Sequence, residues 1–260
     1  MWSFTGCLCG SVGVVEHADI WGEEAARRYD TPGVGMFAPE VLGPTVERLR
    51  ALAGGGRTLE MAIGTGRVAV PLAEAGVAVA GIELCQPMVD QLRTKVGEEL
   101  IPVVLGDMTT ARVDGRFSLV FLVFNGISNV LTQERQIAVF ENAAHHLVPG
   151  GRFVIELWVP DLRHLPPGRT GSVFAAKRGY LAADIFDVVA QHVVSHHVRF
   201  DPEGGTSARI FRSPHRYVWP AELDVMARIA GFSLESRHGG WSEEPFTAES
   251  SDHVSVYRLG

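Results

Sequence analysis

Residues 59–66, Leu-Glu-Met-Ala-Ile-Gly-Thr-Gly, constrain the fold of this 260-residue chain more than any other segment. An apolar stretch that contains one acid, Glu60, is followed by Gly64 and Gly66 and then by a helical pattern. Gly64 and Gly66 lack a Cβ atom, so the chain can turn sharply and a ligand can approach its backbone. The next helix would offer free N–H groups at the same turn. The segment therefore predicts a strand, a ligand-binding turn and a helix, in that order.

Short apolar runs alternate with amphipathic helical patterns from residue 57 onward. Such alternation is typical of a parallel sheet covered by helices on both faces. Five strands are predicted at residues 57–63, 77–82, 102–105, 117–123 and 152–157. Pro149-Gly150-Gly151 is expected to turn the chain into the fifth of them. Beyond Pro160, runs such as 189–200 and 207–211 alternate as antiparallel strands do, before a helix at 220–231 and two last strands. We predict an α/β fold that is Rossmann-like and doubly wound. It has a mostly parallel seven-stranded sheet and an antiparallel β insert after the fifth strand.

This pattern divides the chain into four parts. Residues 1–16 are apolar but lack the basic stretch of a secretory signal, and they are too short to span a bilayer, so we predict a disordered tail. Residues 17–56 predict an N-terminal helical cap, and residues 57–160 with 219–260 predict the ligand-binding α/β core. Residues 161–218 form the insert, either a structural flap or a lid that shapes a substrate pocket.

Charge and cysteine content bear on partners and location. The net charge is −7 and no block of Lys or Arg offers a stripe for phosphates, which argues against nucleic acid as a partner. No membrane partner is predicted, and a homodimer stays open. The three cysteines are too few for a disulfide framework, so we expect a cytoplasmic protein.

Carboxylates occur in or directly after three successive predicted strands. Glu60 lies within a strand expected to be buried, where a carboxylate is costly unless it is paired, so a ligand with a cationic amino group is expected. Glu83 and Asp107 end the second and third strands, and such ends converge on one crevice. Glu83 could accept from both hydroxyls of a ribose, and Asp107 from an adenine amino group. Met88 and Met108 would flank the purine.

The glycine turn also admits a second interpretation. Residues 64–69 match the dinucleotide pattern G-x-G-x-x-G/A, and Glu83 lies about where a ribose-binding acid belongs. An NAD-dependent oxidoreductase is therefore an alternative. Glu60 argues against it, because that position is normally apolar in a dinucleotide-binding strand.

Taken together, these motifs resemble class I S-adenosylmethionine-dependent methyltransferases. The matching segments are Leu59–Gly66, Gly81-Ile-Glu-Leu84 with Met88, Gly106-Asp-Met108 and Leu147–Glu156. The resemblance covers roughly residues 57–157 and resumes in the helix at 220–231. It is greatest to the bacterial small-molecule branch, which includes amino-sugar N-methyltransferases of natural-product pathways. Ala62 departs from the family pattern, which usually has a third glycine there.

The resemblance implies S-adenosylmethionine as the cofactor. It implies that Glu60, Gly64 and Gly66 hold the methionine part, Glu83 the ribose and Asp107 the adenine. Further residues of the implied cofactor site are Ala62, Leu84, Met88, Met108, Phe124 and Tyr29. Tyr29 resembles the tyrosine of an N-terminal Tyr-Asp pair that closes over the cofactor in this branch.

Phe124 and Asn125 follow the fourth strand, where family members contact both cofactor and acceptor. Phe124 could offer its aromatic face to the sulfonium, and Asn125 could bond the methionine part or the substrate. Asn125-Gly126 is also an ordinary turn pair.

The predicted activity is in-line methyl transfer to a small-molecule acceptor, through an amine or a hydroxyl or carboxyl group, in secondary metabolism. No unambiguous base is evident. His196 and His215 are candidate bases, or else solvent-facing strand residues. The valines around His192, His196 and His197 predict a strand rather than a metal-binding helix, so no metal is predicted. A non-catalytic S-adenosylmethionine-binding protein is the remaining alternative.

Overall fold

The computed structural model describes residues 22–201 and 207–260. The prediction of a disordered tail over residues 1–16 lies outside the described residues. The helices are α1 Glu23–Tyr29, α2 Pro39–Ala53, α3 Ala69–Glu74, α4 Gln86–Arg93, α5 Gln133–His146 and α6 Pro220–Ile229. The strands are β1 Thr58–Met61, β2 Val79–Glu83, β3 Val103–Leu105, β4 Phe117–Leu122, β5 Leu147–Trp158, β6 Gly171–Lys177, β7 Tyr180–Asp187, β8 His192–Phe200, β9 Ala208–Arg216, β10 Phe232–His238 and β11 Asp252–Leu259.

A seven-stranded sheet in the order β10-β11-β5-β4-β1-β2-β3 forms the centre of the molecule. Neighbours from β5 to β3 pair in parallel, whereas β11 is antiparallel to both β5 and β10. A second sheet, β6-β7-β8-β9, is antiparallel throughout and follows β5 in the chain. The predicted fold class is confirmed.

The central strands are buried on both faces, which explains their nearly continuous apolar sequences. Every residue of β1 and β2 is buried, including Glu60 and Glu83. Leu49 of α2 and Leu72 of α3 belong to the core cluster on one face of the sheet, and Phe140 of α5 belongs to the cluster on the other. Helix α2 thus belongs to the core layer, although it lies within the segment expected to be a cap.

The structure corrects the expected turn at Pro149-Gly150-Gly151. Strand β5 already begins at Leu147, which pairs with Phe117, and the next pair joins Arg152 to Leu119. The extra residues form an irregularity inside the ladder, and Gly150 takes the positive φ of +74° that it requires. The residues between Leu147 and Arg152 bulge out of the ladder, so β5 continues to pair with β4 beyond them and stays in the sheet.

The antiparallel insert is attached at the carboxyl end of β5. Phe186 of β7 and Val193 of β8 cluster with Tyr217, and Trp158 packs against this cluster. The buried Arg216 donates to Gln136 of α5 at 2.6 Å and to Glu222 of α6 at 2.7 Å. The apolar cluster and the charged network together place the base of the insert beside the carboxyl edge of the main sheet. In the described ranges, 22–201 and 207–260, no helix has the length and apolar character needed to cross a bilayer.

Candidate cofactor and active site

A cleft opens at the carboxyl ends of β1, β2 and β3, with an open volume of about 550 Å³. Parallel strands bring their carboxyl ends to one edge, where ligands of such sheets bind. Five residues of the predicted cofactor site line it: Ala62, Glu83, Leu84, Asp107 and Met108. Its other lining residues are Ile82, Cys85, Gly106, Asn129, Val130 and Arg135.

The glycine turn after β1 is closed by Glu83. One carboxylate oxygen of Glu83 accepts from the N–H of Gly64 at 2.8 Å and the other from the N–H of Cys85 at 2.9 Å. Burial raises the pKa of Glu83 although these amides act against the rise. Gly66 has a φ of +79°, and a Cβ atom there would collide with the side chain of Leu92. Any residue with a Cβ atom at this position would therefore force the Leu92 side chain of α4 to shift.

Ala62 holds a left-handed conformation without being glycine. Its φ is +54°, and a left-handed non-glycine residue stores strain of about 1–2 kcal/mol. Ala62 stands at the position where the methyltransferase family pattern usually has a third glycine. The backbone thus keeps the conformation that a glycine would take, and Ala62 lines the cleft.

Glu60 is buried in β1 with one unsatisfied oxygen. It is 3% exposed, and its Oε2 has no hydrogen-bond partner among the described residues. Burial raises the pKa of this carboxyl to about 8, while the nearby Arg67 charge and a hydrogen bond donated by the backbone N–H of Ala69 act in the opposite direction. A buried, half-satisfied carboxyl is costly unless a further donor arrives, and a cationic group is the strongest such donor.

Asp107 is oriented from two sides at the end of β3. Its Oδ1 accepts from the N–H of Thr109 at 2.8 Å and from the Thr109 hydroxyl at 2.7 Å, and its Oδ2 pairs with Arg135. Burial would raise the pKa of Asp107, but these hydrogen bonds and the Arg135 charge lower it below its usual value. Asn129 lines the same cleft, and its buried Oδ1 has no partner within the described chain.

Helix α1 lies across this region and is attached to the glycine turn. Tyr29 packs with Met88 and Cys85, and burial raises the pKa of the Tyr29 hydroxyl. Asp30 accepts from the Thr65 hydroxyl at 2.5 Å and pairs with Lys95, which also donates to the Thr65 carbonyl oxygen at 2.6 Å. Met88 is therefore covered by α1 and is not among the lining residues of the cleft.

Two left-handed residues in succession follow β4. Phe124 has a φ of +50° and Asn125 a φ of +60°. The Phe124 side chain is 41% exposed, and the Arg67 guanidinium lies 5.4 Å from its ring centroid. The Oδ1 of Asn125 accepts from the N–H of Trp158 at 2.7 Å, so this atom is engaged at the end of β5. Backbone strain of this kind is commonly found where side chains serve a function.

Comparison with known proteins decides the family. Residues 58–151 match the methyltransferase domain family. The solved structure of the CcbJ methyltransferase from Streptomyces caelestis is 37% identical and superposes with a TM-score of 0.81, covering 92% of this chain and 98% of that one. The chain belongs to the class I S-adenosylmethionine-dependent methyltransferases.

Two further relatives agree with this assignment. The cypemycin N-terminal methyltransferase from a Streptomyces species is 29% identical over 247 residues, which is 91% of this chain and 96% of that protein. CalS10, an amino pentose methyltransferase from Micromonospora echinaspora solved with S-adenosylmethionine bound, has 20% identity and a TM-score of 0.62. Its match covers 84% of this chain and 90% of CalS10. At that identity, the CalS10 likeness shows the fold alone. The resemblance inferred from the motifs is confirmed, and S-adenosylmethionine is the cofactor of this methyltransferase.

The side chains around the cleft fit that cofactor. The unsatisfied oxygen of Glu60 suits an ammonium group. Gly66 leaves no room for a Cβ atom, so the turn keeps its bare backbone next to helix α3. Glu83 and Asp107 line a single cleft with Met108, as a nucleoside with hydroxyls at one end and a purine at the other requires.

The two candidate histidines of this methyltransferase lie in the insert and outside the cleft lining. His196 is on β8, where its Nδ1 is 3.1 Å from the Val194 carbonyl oxygen, and His215 is on β9, where its Nε2 is 2.8 Å from the Ser213 hydroxyl. The strand interpretation of the histidine-rich segment is confirmed. Across residues 22–201 and 207–260, no three His, Cys, Asp or Glu side chains are grouped to hold a metal ion.

Sequence reasoning missed several residues of the site. Arg67 stands inside the glycine motif, so its position beside the ligand turn could have been noticed. Arg135 and Glu156 reach the site from 28 and 32 residues away in sequence, measured from Asp107 and Phe124. No local pattern marks such partners, because register between distant elements brings them together.

Proposed function

We propose that this protein transfers the methyl group of S-adenosylmethionine to an amino group of a small-molecule or peptide acceptor. The observation that carries the proposal is the unsatisfied, buried carboxyl of Glu60 beside a cleft that Glu83 and Asp107 line. Two relatives support an amine acceptor: the cypemycin methyltransferase is an N-terminal methyltransferase, and CalS10 is an amino pentose methyltransferase.

Each part of the cofactor would have its own partner in the cleft. Glu60 would accept from the ammonium group, and Arg67 would pair with the carboxylate of the methionine part. Glu83 has lone pairs left for the ribose hydroxyls after accepting from two backbone amides. Asp107 and the unpartnered Oδ1 of Asn129 would accept from the adenine amino group.

The bound cofactor supplies a methyl group on a positively charged sulfur, which a neutral amine can attack in line. The protein's task is then mainly to hold the two reactants in position, and such positioning is worth roughly 7–11 kcal/mol. Phe124 would place the face of its aromatic ring against the positively charged sulfur. Helix α1, fastened through Asp30, would keep solvent away from the methionine part.

An amine needs only to be in its neutral form, whereas a hydroxyl benefits from a base. His196 and His215, the candidate bases, do not line the cleft. This arrangement favours N-methylation over O-methylation. The insert would serve as a lid that selects the acceptor, because its base lies beside the end of β5.

Two further proposals concern the setting of the reaction. Exposed apolar side chains on the insert sheet, among them Val173, Ile185 and Ile210, support a homodimer. The buried free thiol of Cys85 next to the cofactor cleft suits a reducing, cytoplasmic environment.

A methyl-labelling experiment tests the proposed function. The purified protein is incubated with methyl-labelled S-adenosylmethionine and three probes: an amino sugar, a short peptide with a free N-terminus, and a phenol without an amine. Label should appear on an amine probe, at a rate that rises with pH as the amine loses its proton. Label on the phenol with none on either amine would contradict the proposal. Glu83→Ala serves as the binding-deficient control.

A further inference from the structure

Glu156 makes two side-chain hydrogen bonds, although it is not among the lining residues of the cofactor cleft. This side chain of β5 accepts from the N–H of Phe124 through Oε2 at 2.7 Å and from the indole N–H of Trp241 through Oε1 at 2.7 Å. Its backbone oxygen accepts from the N–H of Asn125 at 3.2 Å. One residue thus binds both members of the left-handed pair that follows β4.

The direction of the Phe124 ring depends on this backbone. The side chain is 41% exposed and the Arg67 guanidinium lies 5.4 Å from its ring centroid, so packing against the core does not fix the direction of the ring. Phe124 and Asn125 both take positive φ values, which non-glycine residues keep only when surrounding groups hold them. If the pair relaxed to an ordinary conformation, the Cα–Cβ bond of Phe124 would point elsewhere. Trp241 lies in the loop between β10 and β11 and is 9% exposed, so it can hold the Glu156 carboxylate in place.

We propose that Glu156 is a positioning residue, which keeps Phe124 and Asn125 left-handed and so aims the Phe124 ring at the sulfonium of the bound cofactor. The inference rests on the proposed function in placing Phe124 next to the positive sulfur. It assigns Glu156 no contact with cofactor or acceptor.

The affinities of S-adenosylmethionine and S-adenosylhomocysteine test this without any acceptor. The first ligand carries the positive sulfonium and the second a neutral thioether, so an aromatic wall favours the first. Calorimetry on the full-length protein gives the ratio of the two dissociation constants. Phe124→Leu should lower the preference for the sulfonium roughly 2- to 5-fold. Glu156→Gln should lower it by a similar factor and leave S-adenosylhomocysteine affinity within about 2-fold.

A double variant separates positioning from a general structural role. Phe124 and Trp241 donate to different oxygens of the Glu156 carboxylate, and glutamine replaces one of these oxygens with an NH₂ group that donates, so one of the two donors loses its acceptor. Trp241→Phe removes one of the two donors and leaves the glutamine oxygen free for Phe124. Glu156→Gln should therefore regain much of the preference when combined with Trp241→Phe. Glu235→Gln, which removes a carboxylate paired with Arg152 on the same strand, is the matched control and should keep the wild-type ratio.

Three results would overturn the inference. Glu156→Gln could keep the full preference while Phe124→Leu loses it. The double variant could be more impaired than Glu156→Gln. Both ligands could also weaken equally in Glu156→Gln, which is the mark of a structural role. Failure of the proposed function looks different: the sulfonium preference responds as expected while no amine probe is methylated.

Discussion

Cofactor binding should release a proton from Glu60. In the free protein, burial raises the pKa of this carboxyl to about 8, so it is mostly protonated at neutral pH. A ligand ammonium at the unsatisfied oxygen would favour the ionised form and lower that pKa again. Binding and deprotonation are then coupled, and affinity must depend on pH.

The size of the effect follows from the pKa. At pH 7, a carboxyl with a pKa of about 8 is roughly nine-tenths protonated, so about 0.9 proton should be released for each ligand bound. If the bound carboxyl stays ionised, affinity should rise about 50-fold between pH 6 and pH 8, or about 2.3 kcal/mol. The sign is fixed, because protonation opposes binding and affinity must fall as pH falls.

Calorimetry measures both quantities. S-adenosylhomocysteine is titrated at pH 7 in buffers with different ionisation enthalpies, and the slope of the observed enthalpy gives the number of protons released. Glu60→Gln is the matched control, since it keeps the shape of the side chain and cannot titrate. Its slope reports only the proton equilibria of the ligand and the remaining protein.

Equal proton release in the wild type and in Glu60→Gln would contradict this role of Glu60. Wild-type affinity that is flat from pH 6 to pH 8 would also contradict it. In either case the buried carboxyl would not be the partner of the ligand's ammonium group.

Three further predictions concern stability. Gly66→Ala should destabilise the protein by about 3 kcal/mol in denaturant unfolding, because strain at positive φ adds to the collision with Leu92. Gly64→Ala should cost only about 1 kcal/mol, because its Cβ atom would make no contact closer than 4.0 Å, to the Ala62 carbonyl oxygen. Equal losses would contradict this. Ala62→Gly should relieve left-handed strain and raise stability by up to about 1 kcal/mol, or about 2–4 °C in Tm, and a fall in Tm would count against it. Burial would raise the pKa of Glu222, but hydrogen bonds from its arginine and glutamine neighbours lower it in the folded state. The ionised Glu222 side chain therefore stabilises the folded protein fully at pH values above its unfolded-state pKa, and this stabilisation is lost as the pH falls through its folded-state pKa. The wild type should then lose more stability than Glu222→Gln between about pH 5 and pH 3. Parallel acid profiles would show that Glu222 contributes nothing.

The sequence predicts the alternating strands and helices of the main sheet well, for local reasons. The apolar run before Gly64 and the acids that end β2 and β3 belong to successive βα units, and the geometry of each unit is encoded locally. The burial of Glu60 follows from its place in a strand covered on both faces. Even the departure at Ala62 could be noticed, although its positive φ could not.

Other features of the molecule depend on contacts between distant elements. Glu156 and Trp241 are 85 residues apart, and only the pairing of β5 with β11 brings them together. The Pro-Gly-Gly segment has the composition of a turn, yet the ladder with β4 absorbs it as an irregularity. In both places the tertiary arrangement overrides what composition alone indicates.

A crystal structure of the complex with S-adenosylhomocysteine would show whether the cleft at the ends of β1, β2 and β3 holds the cofactor. We expect the amino group within hydrogen-bonding distance of the free oxygen of Glu60, the ribose hydroxyls at Glu83, and the purine between Asp107 and Met108. A ligand bound away from the cleft, or one inside it that leaves Glu60 without a polar partner, would contradict the cofactor site described above.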